Sequence, residues 1–204
     1  MITLVDYGLG NIQAFANIYN RLNIPVTVAR DAQTLANASR MILPGVGHFD
    51  WAMKRLADSG MRQTLDDLVV RQKKPVLGIC VGMQMMAKRS DEGELPGLGW
   101  IDAEVKKFDV TGSNRHTQLP HMGWNDVSAT EFGDIFGGME GGSRFYFLHS
   151  YYFAPNRGEE VVGKTDYNGT FASAVRAGNV FGVQFHPEKS HRWGIQLLKN
   201  FAEL

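Results

Sequence analysis

Apolar and polar positions change their rhythm near the middle of this 204-residue chain. In the first half, short apolar runs alternate with stretches at helical spacing. Ile2 to Val5 is an apolar run that ends at Asp6-Tyr7-Gly8, and a helical stretch follows from Asn11 to about Leu22. Val26 to Ala29 reads as a second strand, with Pro25 at its start, where a missing N–H is tolerated. Met41-Ile42-Leu43 is a third strand, stopping at Pro44-Gly45-Val46-Gly47. Trp51 to Val70 reads as one helix, with Met53, Leu56, Leu65 and Leu68 near helix spacing. Pro75 to Ile79 forms a fourth apolar run, and Met83 to Lys88 continues as a helix.

Such alternation implies βαβ units, hence a parallel sheet with helices on both faces. From Trp100 onward the runs are short and alternating, as at Phe145 to Leu148, Phe171 to Val175 and Val180 to Phe185, and they predict antiparallel strands. The expected fold is therefore α/β, with a mixed sheet of parallel core and antiparallel additions. A closing helix is expected from His191 to Phe201. No repeat, low-complexity tract or linker divides the chain, so a single domain over residues 1–204 is the economical reading.

Composition narrows this picture. With 21 basic and 21 acidic residues the formal charge is zero, which argues against a general nucleic-acid binder. No apolar run approaches the roughly 20 residues that cross a bilayer, and the N-terminus carries no basic segment of a signal peptide. These features predict a soluble, cytoplasmic protein. A single cysteine forbids an internal disulfide and leaves two readings open, an inert core thiol or a nucleophile. The histidines (His48, His116, His121, His149, His186 and His191) show no metal-ligand spacing, so neither a metal nor another cofactor is expected.

The setting of Cys80 favours the nucleophile. Gly78-Ile79-Cys80-Val81-Gly82 lies where an apolar strand turns into a helix, the Gly-x-nucleophile-x-Gly elbow with Cys in place of Ser. Such an elbow needs glycines because the crossing chains come too close for Cβ atoms. A helix N-terminus beneath the sulfur favours thiolate, and the Val81 N–H is placed to stabilise an oxyanion.

Val183-Gln184-Phe185-His186-Pro187-Glu188 supplies a base. Pro187 biases His186 toward extended backbone, where residues i and i+2 face one side, so His186 and Glu188 are expected to project together. A carboxylate behind an imidazole fixes its tautomer and stabilises the imidazolium formed on proton transfer. Cys80, His186 and Glu188 are thus the candidate catalytic triad.

At this point the residues resemble a known family. Gly78 to Gln84, His186-Pro187-Glu188 and Pro44-Gly45-Val46-Gly47 resemble the class I (triad) glutamine amidotransferases, which implies a flavodoxin-like fold. Pro120 to Asn125, Tyr146 to Tyr151 and Asp6 to Asn11 are similar to the glutaminase subunits of imidazole glycerol phosphate synthases. The resemblance runs along essentially the whole chain. It implies hydrolysis of L-glutamine to glutamate and ammonia, and delivery of that ammonia to a (β/α)₈-barrel cyclase in a heterodimer serving histidine biosynthesis. It further implies an oxyanion strand at Val46 and Gly47, joined by Val81. Gln84, Glu92, His149, Ser150 and Tyr151 would bind the amino-acid end of glutamine. Asn11, Pro120, Met122, Trp124, Tyr146 and Lys189 would lie toward the cyclase.

Other readings stay open on the residues alone. Gly8-Leu9-Gly10 after the first strand is unlike a dinucleotide loop because Gln13 stands at the third glycine position. Trp124 alone would pass for a core aromatic, and Asn125 and His48 fit either site or scaffold. A related glutaminase feeding another synthetase, an elbow-type cysteine hydrolase and a non-catalytic module are the competing functions.

Overall fold

The computed structural model describes residues 1–110, 118–130, 133–140 and 142–204. His116 falls outside these described residues. Twelve strands among them join into one sheet. The parallel half is β1 (Ile2–Val5), β2 (Val26–Ala29), β3 (Met41–Gly45) and β4 (Val76–Cys80), arranged β2-β1-β3-β4. Helices α1 (Ile12–Arg21), α2 (Ala32–Leu35), α3 (Phe49–Asp58), α4 (Arg62–Asp66) and α5 (Val81–Gln84) link and follow them. β1, β3 and β4 are buried along their whole length, as expected of strands covered on both faces.

The remaining strands are β5 (Arg89–Ser90), β6 (Ala103–Lys107), β7 (His121–Ala129), β8 (Ser143–His149), β9 (Tyr151–Pro155), β10 (Val161–Asp166), β11 (Thr170–Ala177) and β12 (Val180–Val183). The sheet continues from β4 as β12-β11-β10-β7-β8, with β9 pairing β11 and β6, and β6 pairing β5. The Val180 run is antiparallel to β11, as expected, but it is also parallel to β4. Val183 stands beside Ile79 in that pairing, so the end of β12 reaches the same edge as Cys80. This insertion of a late strand into the early sheet builds the site.

Two helices differ from expectation for visible reasons. The predicted helix Trp51 to Val70 is broken after Asp58, where Gly60 takes a positive φ of 71°. There the Ser59 hydroxyl donates to the Leu56 carbonyl at 2.7 Å and accepts from the Met61 N–H at 3.2 Å. Its second part runs as α4 and then a π-helical turn, Asp67–Arg71. The helix expected over Met83 to Lys88 is instead the single turn α5. The carbonyls of Met85, Met86 and Ala87 accept from Leu98, Ile101 and Gly99 N–H groups at 2.7, 3.1 and 3.0 Å, which takes the acceptors a longer helix would need.

The core is continuous across both faces. Phe15 and Tyr19 of α1 are buried, and the Tyr19 hydroxyl donates to Leu198 O at 3.1 Å, tying α1 to α6 (His191–Glu203). Asn11 caps α1 by accepting from Ala14 N–H at 3.3 Å, and His48 caps α3 by accepting from Asp50 N–H at 3.2 Å. His48 is therefore scaffold. No described helix is long and apolar enough to cross a membrane.

Candidate active site

Cys80 ends β4 and opens α5 with φ 55° and ψ −114°, a backbone conformation that costs a non-glycine residue of order 1–3 kcal/mol. The close packing around it holds that strain in place. A Cβ on Gly82 would lie 1.9 Å from Leu43 O, and one on Gly78 would lie 2.6 Å from Met86 Cε and 2.7 Å from Gly82 O. Both elbow glycines are thus demanded by sterics, as expected from their spacing. The electrostatic expectation needs correcting, because α5 is one turn long. What the elbow offers is the first free N–H groups of that turn rather than a long helix dipole.

His186 arrives from the end of β12. Its backbone is extended, with φ −104° and ψ 94°, and its N–H donates to Tyr146 O at 2.8 Å. Ser190 fastens the segment again, donating from Oγ to His186 O at 2.6 Å and accepting from Tyr146 N–H at 3.0 Å. Glu188 does not lie on extended chain as expected. Pro187–Lys189 is a 3₁₀ turn, favoured by the fixed φ of Pro187 at its first position. That turn folds the carboxylate back, so His186 Nδ1 stands 2.9 Å from Glu188 Oε1 with both side chains nearly sealed from solvent.

The second oxygen of Glu188 is buried with no partner among the described residues, leaving its charge directed at the ring. With Nδ1 engaged, Nε2 is the ring nitrogen left for Cys80, whose Sγ lies 3.9 Å from Leu148 O and 3.8 Å from Gln184 Nε2. Burial opposes a charged ring, but interaction with Cys80 and with the Glu188 carboxylate outweighs it and pushes His186 up to about 10.

A cavity of about 350 Å³ opens onto this pair. Val46, Gly47 and Val81 line it beside Cys80, and Gln84, Glu92, His149, Ser150 and Tyr151 line it further along. Cys80, His186 and the oxyanion and glutamine-site positions expected from sequence thus line one space, and Glu188 stands behind His186. Gln84 is buried rather than solvated, its Nε2 donating to Tyr151 O and to Gln184 Oε1, each at 3.1 Å. Glu92 Oε2 accepts from Phe49 N–H at 2.9 Å, so this carboxylate also caps α3. The neighbouring carboxylates Glu92 and Asp91, after partial burial, keep the Tyr151 phenol above its ordinary pKa.

The residues expected at a partner interface divide. Pro120 and Lys189 line the cavity as well. Met122 and Trp124 stand on the outward side of the β7–β8 pair, opposite Leu148 and Tyr146 respectively. Met122 is 65% exposed, Trp124 41% and Leu148 38%, so Trp124 is not a core residue. Trp124 stacks on His191 with ring centroids 5.3 Å apart, and Lys189 Nζ sits 5.6 Å from the Tyr146 ring. Asn11 is exposed, caps α1 and does not line the cavity.

His121, for which the sequence suggests no role, is buried. It is stacked between Phe147 and Tyr167, and its Nδ1 lies 2.9 Å from His149 Nε2. His149 Nδ1 lies 2.8 Å from Tyr151 O, which can only accept, so that nitrogen carries the proton. His149 Nε2 then accepts from His121 Nδ1–H, and His121 Nε2 accepts from the Asn125 amide at 3.2 Å. Asn125 is thereby the outer end of a chain that leads to the cavity wall. Burial holds His121 down at about 4 and His149 at about 3. The one sequence signal for His121 is its place next to the outward Met122 on an alternating strand, which turns it to the opposite face.

Known proteins resemble this chain along its full length. The family model described as Glutamine amidotransferase class-I matches residues 3–204. The imidazole glycerol phosphate synthase subunit HisH of Bdellovibrio bacteriovorus is 57% identical over 204 residues, covering all of both chains. The subunit HisH of Leptospira interrogans is 47% identical, again over the whole of both. Among solved structures, a glutamine amidotransferase superposes with a TM-score of 0.71 at 21% identity, covering 97% of this chain and 98% of that one. PurLQS from Thermotoga maritima gives 0.68 at 18% identity, covering 99% and 97%. These two likenesses concern the fold. The chain belongs to the class I glutamine amidotransferases, in the family of the HisH subunits of imidazole glycerol phosphate synthase.

Proposed function

We propose that this protein is the glutaminase subunit of an imidazole glycerol phosphate synthase and works through a Cys80–His186–Glu188 triad. The Cys80 proton resides on His186 Nε2, whose raised pKa keeps the ring an imidazolium, and the thiolate attacks the side-chain amide carbon of L-glutamine. The oxyanion that forms is held by the Val81 N–H and by the amides of Val46 and Gly47. His186 returns the proton to the leaving nitrogen, ammonia departs, and a γ-glutamyl thioester remains on Cys80. Water, deprotonated by His186, then releases glutamate. Glu188 stabilises the imidazolium at both steps. Glu92 and the polar edge formed by Gln84, His149, Ser150 and Tyr151 receive the ammonium and carboxylate of the substrate.

The observation that carries this reading is the convergence of a strained elbow thiol, a buried His–Glu pair and those polar residues on one 350 Å³ cavity. The 57% identity over a full-length HisH supports the pathway assignment. The partner is a (β/α)₈-barrel cyclase, docked as a heterodimer on the exposed face of Met122, Trp124 and Leu148. That face is continuous with the cavity through Pro120 and Lys189. Ammonia released at Cys80 would pass across it without meeting bulk water, where protonation would remove its nucleophilicity.

The test is glutamate release from glutamine with and without the cyclase and its nucleotide ligand. A strong rise with the cyclase, abolished by Cys80→Ala, is expected. Activation by a different synthetase alone would overturn the pathway assignment and leave the glutaminase chemistry standing.

A further inference from the structure

The segment between β1 and α1 meets the end of β3 at a single residue. The Tyr7 hydroxyl donates to the Pro44 carbonyl at 2.7 Å and lies 3.4 Å from Met85 Sδ. Tyr7 is 2% exposed. Its burial, and secondarily the charge of Cys80, push the phenol far above its ordinary pKa, so it remains a protonated donor at neutral pH. Gly10, at φ 94°, comes so close that a Cβ there would lie 2.7 Å from Pro44 Cβ. From the elbow, a Cβ on Gly45 would lie 2.4 Å from the Gly82 N, so that residue too is pressed against a fixed neighbour.

Immediately beyond, the restraint ends. Val46 is 39% exposed, and Gly47 has φ 84° with nothing within 4 Å of where a Cβ would stand. The chain passes from pinned to open within two residues. The Pro44 carbonyl and the Gly45 N–H belong to one rigid peptide plane. Fixing that carbonyl fixes the Pro44–Gly45 plane, and Gly45, paired with Cys80 in the sheet and pressed against Gly82, carries that placement on to the Val46–Gly47 turn.

We infer that Tyr7 is a positioning residue for glutamine hydrolysis: by holding the Pro44 carbonyl, its buried hydroxyl sets where the Val46 and Gly47 amides stand relative to the Cys80 sulfur. The inference rests on the proposed glutaminase reading, in which those amides hold the oxyanion. Tyr7 touches neither substrate nor reacting atoms, and it acts through the backbone of Pro44. Its effect falls on the transition state, because the charge those amides stabilise is absent from the bound substrate.

The experiment compares wild type with Tyr7→Phe in the complex with the cyclase, reading kcat and KM for glutamine and the rate of Cys80 alkylation by iodoacetamide. Tyr7→Phe is expected to lower kcat by roughly five- to tenfold while KM stays within about twofold. Alkylation forms no oxyanion, so its rate is expected to match wild type and to certify the fold and the thiol. An unchanged kcat, a rise in KM alone, or a parallel fall in alkylation overturns the inference. If Tyr7→Phe does not fold, Tyr7→Met, which also lacks the donor and adapts to the space, carries the same expectations. Loss of hydrolysis in Cys80→Ala with an unaffected Tyr7→Phe would sink this inference alone. Hydrolysis that survives Cys80→Ala would sink the glutaminase reading and this inference with it.

Discussion

Glu188 reaches His186 across two residues of chain, with Oε1 2.9 Å from Nδ1, only because Pro187 opens a 3₁₀ turn between them. Removing the charge while keeping the shape tests what that contact does. Glu188→Gln is expected to lower kcat for glutamine by roughly 10²- to 10⁴-fold, the range that accompanies loss of tautomer control in comparable triads. Circular dichroism and thermal melting should stay close to wild type, and steady-state kinetics on the complex reads the loss.

The same contact has a pH signature in stability. His186 is held up at about 10 against 6.5 in the unfolded chain. A raised histidine contributes stability that is fully present below about pH 6.5 and is lost as pH rises through 10. The deficit in thermal midpoint of His186→Asn relative to wild type is therefore expected to be largest near pH 6. It should shrink steadily toward pH 10, and a deficit independent of pH would contradict the pairing.

His121 and His149 carry the opposite sign. Both are held below their ordinary value, at about 4 and about 3, by burial, so the unfolded chain takes up protons that the folded chain refuses. Stability should fall as pH drops from about 6.5 toward 4. Protonation of His121 would set its Nε2–H against the Asn125 amide at the 3.2 Å contact, and protonation of His149 would set its Nε2–H against His121 Nδ1–H at the 2.9 Å contact. His121→Gln is expected to flatten this acid limb in a denaturant series run across that range.

Glycines at the elbow and at the turn beyond β3 should respond differently to one methyl group. Gly82→Ala places a Cβ 1.9 Å from the Leu43 carbonyl, so α5 and β3 must move apart, and a loss of about 3 kcal/mol or more is expected. Gly47→Ala meets nothing, and its cost is the left-handed backbone alone, about 1 kcal/mol. Urea unfolding of the two variants measures the contrast.

The outward face of the β7–β8 pair should govern assembly rather than folding. Trp124→Ala removes a large exposed ring from its centre and is expected to weaken the cyclase complex by about 2 kcal/mol, roughly thirtyfold in Kd. The melting temperature of the isolated subunit should change little. Titration calorimetry against the cyclase supplies the number.

Much of this was legible in the residues because it depends on local rules. The elbow glycines announce Cys80, since only a chain without Cβ atoms fits the crossing that the structure shows at Gly78 and Gly82. The parallel pairing among β1 to β4 was legible in the alternating apolar runs and helical stretches, whereas their order β2-β1-β3-β4 was not. What stayed hidden depends on contacts between distant segments. The shortening of α5 comes from Leu98, Gly99 and Ile101, which no local periodicity reveals. The burial of His121 comes from Phe147 and Tyr167, so a histidine with no role in the sequence reading becomes part of the cavity wall's support. The Glu188 geometry was foreseen as a pairing but through the wrong backbone path, because Pro187 permits either extended chain or a turn after it.

The place of β12 also orders the events of synthesis. Until that strand emerges, β4 has an unpaired edge, and Cys80 at its end has neither base nor carboxylate. An unpaired, fully apolar edge invites wrong partners. One step closes that edge and brings His186 to the thiol, so the nascent chain becomes safe from mispairing and chemically competent at the same moment.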